Sequence, residues 1–382
     1  MSLDDHSTIP VNLFSVDKSQ PWKNRIEKVS ACLNLKRVLY IFGAKLNGEK
    51  CIDYCNKLGI TIKGFIDNDP MKIGQIFHGF EILSLASIDK NSIILNSSGR
   101  YVNEINLQLE VNNFFKIITF TELLYLFNLQ HQAEDKIQNF TNEILVNASK
   151  INSLFLSLGD DLSRKTLNAV VDFRLTLDSK PLSEITPPYD EEFFPRDLLA
   201  FDSNGVFIDG GAYDGDSYLK YLSRKPKNPK AYLFEPDEQL CKKASERLNN
   251  NINFRIFNAC LYSSDGYITF STTGGMNGSI SELGNLKVKT MMIDNISSEK
   301  VGHIKLDVEG AEEKVLIGAK KKLMEDKPTL AIACYHKPND IWQIPELIQI
   351  LTKNSYHFYL RHYSQTLDDT ILYAIPDHLH KP

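Results

Sequence analysis

Three acidic clusters, each placed just after a short apolar run, carry most of the chemistry this sequence can do. The first is Asp209-Gly210-Gly211-Ala212-Tyr213-Asp214-Gly215-Asp216-Ser217. Its glycines let backbone approach a ligand closely, and Asp216 or Ser217 can cap a following helix. Doubly wound sheets bind their ligands at such a loop, on the carboxyl end of a strand. The glycines do not follow G-x-G-x-x-G, and acids at 209, 214 and 216 would repel a pyrophosphate. A sulfonium-bearing amino acid, which is positively charged, suits the loop better. Glu235 lies 26 positions beyond Asp209, ends another apolar run and precedes Pro236. An acid there can accept hydrogen bonds from both hydroxyls of a ribose. The third cluster is Ile304-Lys305-Leu306-Asp307-Val308-Glu309-Gly310-Ala311-Glu312. Asp307 ends a buried run, where an unpaired charge is costly. With Glu309 it could share a perturbed proton or bind a cation, whereas Glu312 suits a helix N-terminus. Cys334-Tyr335-His336-Lys337-Pro338 adds a histidine able to remove a proton from a hydroxyl near neutral pH. Arg361 and His362 are further candidate substrate contacts. Each feature also has a plain structural reading: an acidic turn, a Glu-Pro turn former, a loop histidine.

These residues need strands to end where they stand. Val206 to Asp209, Ala231 to Glu235, Asn253 to Phe257, His303 to Asp307 and Thr329 to Cys334 are short apolar runs of the buried parallel type. Tyr267 to Ser271 and Leu286 to Met291 read as an extra edge pair, and Tyr356 to His362 with Thr370 to Ile375 as a closing hairpin. Five strands with helical crossovers and a terminal hairpin give the element order of a seven-stranded α/β sheet. An earlier α/β unit starts with Arg37 to Phe42 and Gly43-Ala44, continues with Ile60 to Ile66 and the turn Asp67-Asn68-Asp69-Pro70, and adds strands at 82–83, 92–96 and 116–120. Residues 122–176 read as helices, one of them Asn142 to Leu158, before Pro181, Pro187, Pro188 and Pro195 break the chain. The expected organisation is a polar, weakly periodic lead-in at 1–35 and a Rossmann-like α/β domain at 36–122. A helical connector and linker follow at 123–188, then a second α/β domain at 189–382.

A chain of 382 residues, 42% hydrophobic and 24% charged, has the composition of a globular two-domain protein. A net charge of −5 offers nothing for nucleic acid or an anionic membrane. No apolar run reaches the roughly 18–20 residues that a membrane span needs, and the N-terminus lacks a signal segment. The six cysteines are dispersed, and Cys51 and Cys55, without a further ligand nearby, read as core residues. A reducing cytoplasm is the expected compartment.

The segments VFIDGGAYDGDS, LFEPD, HIKLDVEGAEEKVLIGA, YHKPNDIWQIP and FYLRHYSQTLDDTILYAIP resemble the FkbM family of S-adenosylmethionine-dependent methyltransferases, in order and spacing, over about residues 189–376. The resemblance implies a Rossmann-like class I fold and O-methylation of hydroxyls on sugars, glycans or polyketide-type molecules, often in bacterial surface-polysaccharide synthesis. It implies Asp209, Gly211 and Gly215 around the methionine part of the cofactor, with Ala212, Asp214 and Asp216 in the same loop. Glu235 beside Pro236 would take the ribose, and Asn258 and Ala259 would lie beside the adenine, although no acid stands there for the adenine amine. Asp307, Glu309 and His336 would line the methyl-transfer centre. Residues 36–97 resemble the nucleotide-sugar-binding front domain of sugar O-acyltransferases, with Lys45 where a second glycine is usual.

The expected reaction is an in-line displacement in which a substrate hydroxyl attacks the methyl carbon as sulfur leaves, with alignment supplying much of the acceleration. His336 is the first candidate to receive the hydroxyl proton and Asp307 the second; Mg²⁺ held by the carboxylates is an alternative. The rival expectations are an NAD(P)-using nucleotide-sugar oxidoreductase and a non-catalytic scaffold in a glycan-assembly complex.

Overall fold

A computed structural model of the protein describes residues 21–35, 38–131, 136–198, 204–248, 253–271, 279–280, 286–296 and 298–380. The chain forms two compact units. The first comprises residues 1–146, 168–186 and 364–367, and the second 147–167, 187–363 and 368–382.

The first unit is built on a six-stranded sheet: β1 (Val38–Phe42), β2 (Thr61–Ile66), β3 (Ile76–Phe77), β4 (Phe80–Leu83), β5 (Ile93–Asn96) and β6 (Ile117–Thr119), in the order β3-β4-β2-β1-β5-β6. All neighbours are parallel except β3 and β4. The unbroken apolar runs follow from burial on both faces; Leu39, Ile41, Phe65 and Leu95 share one core with the fully buried Cys51 and Cys55. The lead-in contains a helix, Pro21–Leu35, that the sequence reading left irregular. It buries Ile26, Val29 and Leu33 in this core. Those three positions have the i, i+3, i+7 spacing of a helix face, on a segment otherwise too polar to stand out. After β1, the amide of Ala44 donates to Asp67 at the end of β2 (3.1 Å), and Lys72 pairs with the same carboxylate oxygen (2.8 Å). The Ala44 amide and the acid that follows β2 thus satisfy each other.

The helical segment also departs from expectation. What reads as one helix from 142 to 158 is two, Lys136–Val146 and Ala148–Ser157, broken at Asn147. The helices expected as a connector divide between the two units.

The second unit has strands β7 (Val206–Gly210), β8 (Ala231–Phe234), β9 (Phe254–Phe257), β10 (Cys260–Leu261), β11 (Gly266–Ser271), β12 (Ser279–Ile280), β13 (Leu286–Met291), β14 (Val301–Leu306), β15 (Thr329–Ala333), β16 (Tyr356–His362) and β17 (Thr370–Pro376). Seven of them form one sheet in the order β16-β17-β15-β14-β7-β8-β9, and β10 to β13 form a separate four-stranded sheet. The expected edge pair, β11 and β13, is antiparallel and lies in that smaller sheet. In the large sheet β17 is antiparallel to both β15 and β16; the rest are parallel. This is the expected seven-stranded α/β, Rossmann-like sheet. Its chain order reverses between β7 and β14, so the crevice beyond their carboxyl ends is where a doubly wound sheet opens to a ligand. The register across that switch pairs Asp209 with Lys305 on β14 and with Leu233 on β8.

Candidate active site

The strand β7 leaves Asp209 fully buried, with Oδ1 3.2 Å from the ammonium of Lys305. Burial pushes its carboxyl up to about 6, against the pull of Lys305. The chain then turns through Gly211, whose φ of +74° and close approach to β14 both demand glycine. A Cβ there would stand 1.9 Å from the carbonyl oxygen of Asp307. The amides of Gly211 and Ala212 both donate to the carbonyl of Phe234 (3.0 Å each), tying the loop to β8. Gly215, at φ +84°, precedes the helix Asp216–Ser223. Ala212 is buried, Tyr213 is exposed, Asp214 pairs with Arg247, and Asp216 receives the amide of Ser217 (2.8 Å).

Glu235 follows β8 and is also buried. Its two oxygens take the amides of Tyr213 (2.9 Å) and Asp237 (3.0 Å), which binds the ends of β7 and β8 together. Burial raises its carboxyl to about 7 despite these donors. Asn258 uses its amide nitrogen on the carbonyls of Pro236 (2.8 Å) and Glu235 (3.2 Å), and Ala259 is buried beside it. Asp209, Gly211, Glu235, Pro236, Asn258 and Ala259 therefore line one continuous edge, the carboxyl ends of β7, β8 and β9.

Asp307, Glu309 and His336 come together at the end of β14. His336 has Nε2 3.3 Å from Asp307 and 3.7 Å from Glu309, and Nδ1 2.9 Å from the fully buried Glu312. Burial alone would lower its pKa, but Asp307 and Glu312 outweigh that and push it up to about 10. The ring is an imidazolium at neutral pH. Burial likewise favours the neutral form of Asp307, yet His336 and Lys305 hold its carboxyl below the ordinary range. The hydroxyl of Tyr335 donates to Asp307 (3.2 Å). Glu312 accepts the amide of Val308 (3.0 Å), so one residue caps the turn and faces the histidine. Among the described residues no group of three or more His, Cys, Asp or Glu side chains has the arrangement of a metal site. No helix among them is long and apolar enough to cross a membrane.

A methyltransferase FkbM domain model matches residues 209–358. Residues 209–358 are thus similar to a methyltransferase FkbM domain. A curated protein, 2-O-methyltransferase NoeI of Sinorhizobium fredii, is 26% identical over 147 residues, covering 32% of this chain and 60% of that protein's length. The crystal structure of methyltransferase FkbM from Methylobacillus flagellatus KT superposes with a TM-score of 0.68 at 22% identity, over 92% of this chain and 99% of that one. At that identity the likeness is one of fold.

The second unit also holds residues that motif reading passed over. Lys305 sits mid-strand inside an apolar run, a pattern that reads as strand rather than as site. Glu192, in the proline-interrupted stretch before β7, is buried and paired with Lys220 (3.0 Å). Arg361 and His362 are not open to a ligand. Arg361 is buried against Asp160 (2.7 Å) and Asp197 (2.6 Å), and His362 is buried against Thr370 (2.9 Å).

Proposed function

We propose that the protein is an S-adenosylmethionine-dependent methyltransferase acting on a hydroxyl of a sugar, nucleotide sugar or glycan precursor. The carrying observation is the buried carboxylate of Asp209, whose Oδ1 pairs with Lys305 (3.2 Å) and whose Oδ2 takes no hydrogen bond among the described residues, one strand from Glu235. A buried carboxylate oxygen without a donor costs free energy, and the ammonium of a bound ligand would satisfy it. Bound there, S-adenosylmethionine supplies an electrophilic methyl group. Asp209 faces its amino group, and Glu235, anchored by two amides, accepts from its ribose. Asn258 and Ala259 border the adenine end.

The acceptor side is the Asp307–Tyr335–His336 group. As an imidazolium flanked by carboxylates, His336 fixes Asp307 in place and keeps it ionised. That favours Asp307 over His336 as the group that takes the hydroxyl proton. Its lowered pKa makes it a weak base, which suffices when the proton leaves late, after the oxygen has begun to bond to the methyl carbon. The 2-O-methyltransferase name of the Sinorhizobium relative supports a hydroxyl acceptor, and surface-polysaccharide synthesis in the cytoplasm is the setting we propose.

Incubation with methyl-labelled cofactor and a panel of free sugars, nucleotide sugars and lipid-linked glycans tests this reading. Label on an acceptor oxygen, lost in Asp307→Asn, is the expected result. Transfer to nitrogen or carbon nucleophiles, or to none of the panel, would overturn it.

A further inference from the structure

Lys305 is a buried cation with a complete set of acceptors. Its side chain is 2% exposed, and Nζ donates to the carbonyls of Gly211 (2.6 Å) and Gly210 (3.1 Å) and stands 3.2 Å from Asp209 Oδ1. Two protons of the ammonium thus go to carbonyls at the end of β7, and its charge stands against the Asp209 carboxylate. The ring of Phe193 closes the remaining side, 5.1 Å from Nζ. Parallel register places the residue there, since Lys305 and Asp209 are direct partners across the switch point.

We infer that Lys305 is the positioning residue of the cofactor loop, pinning the Gly210 and Gly211 carbonyls and keeping Asp209 ionised to receive the ligand's ammonium. The inference rests on the methyltransferase reading for the identity of that ligand. Two effects follow from one atom. The carbonyls turned toward Nζ fix the direction in which Gly211 bends, and with it the line of the amides bonded to Phe234. The positive charge opposes the burial that would otherwise protonate Asp209. Other charged groups facing Lys305 are acidic: Asp216 on the following helix, Asp307 at the end of β14, Glu192 from the loop before β7, and Glu235 after β8. Asp216 and Asp307 also face Asp209, so removing Lys305 leaves the Asp209 carboxylate beside two like charges.

The test uses the full chain and two readouts, hydrogen exchange at the Gly210–Tyr213 amides without ligand and S-adenosylhomocysteine affinity between about pH 5 and 9. In Lys305→Met, exchange at this loop is expected to rise while other strands of the sheet keep their protection. Affinity near neutral pH should fall about tenfold or more, and the pH midpoint of binding should move up by about one unit. Should removal of the cation prevent folding, Asp209→Asn/Lys305→Met eliminates the stranded charge as well. That double variant should fold, exchange faster at the loop and bind weakly, keeping only the pH midpoint that Glu235 supplies. Wild-type exchange at the loop in either variant, or an equal rise throughout the domain, would overturn the inference. So would an unshifted midpoint in Lys305→Met. If the wild type binds no S-adenosylhomocysteine, the methyltransferase reading fails, and the exchange data alone decide the role of Lys305.

Discussion

Replacing His336 with glutamine should uncover the coupling between its imidazolium and the carboxylates of Asp307 and Glu312. The imidazole lies between Asp307 and Glu312, and its pKa rises from 6.5 to about 10. For a base raised in the folded state, the associated stability is complete below the unfolded pKa and is lost as pH climbs through the folded one. The window is therefore pH 6.5 to about 10. At about 1.4 kcal/mol per unit the shift sets an upper bound of about 5 kcal/mol. Removing one partner of a buried pair costs about 3–5 kcal/mol in general. We expect His336→Gln to lose about 3 kcal/mol at pH 6.5 relative to wild type, with Asp307 and Glu312 left facing each other. Urea denaturation of both proteins at a series of pH values, followed by circular dichroism, measures the gap. The gap should narrow steadily with rising pH and close near pH 10. A gap below about 0.5 kcal/mol, the size expected of an exposed pair, would refute the imidazolium assignment. So would a gap that stays constant with pH.

Gly211→Ala should cost about 2 kcal/mol or more in thermal stability and abolish measurable cofactor binding, because its φ of +74° strains any other residue and the Cβ meets the carbonyl of Asp307. Cofactor affinity should fall as pH drops through about 7 and then 6, where Glu235 and Asp209 in turn become protonated. A binding isotherm unchanged between those values would contradict both roles. Arg361→Met should destabilise the protein by about 3–5 kcal/mol, since Asp160 and Asp197 lose their buried cation. The same variant should leave S-adenosylhomocysteine affinity within about twofold; a larger loss would place Arg361 in the site.

Asp209, Glu235 and Asp307 could be found in the sequence because each ends an apolar run and stands next to glycine, proline or a second acid. Local pattern was enough to find the strands and the acids at their carboxyl ends. It was not enough for Lys305, because a lysine inside an apolar run shows its purpose only when the parallel register sets it opposite Asp209. The protonation of His336 depends on Glu312, 24 positions upstream (336 − 312), brought close by the turn after β14. Arg361 read as a ligand contact because Asp160 and Asp197, which bury it, are 201 and 164 positions away. The helix Pro21–Leu35 was readable in principle from Ile26, Val29 and Leu33, but its polar majority masked the face.

The central claim is that the edge formed by Asp209, Gly211 and Glu235 binds S-adenosylmethionine. Calorimetric titration of S-adenosylmethionine and S-adenosylhomocysteine into wild type, Asp209→Ala and Glu235→Ala tests it most directly. The account predicts saturable one-site binding to the wild type, weakened about tenfold or more in each variant. Folded, ligand-free wild-type protein that takes up neither compound would contradict it.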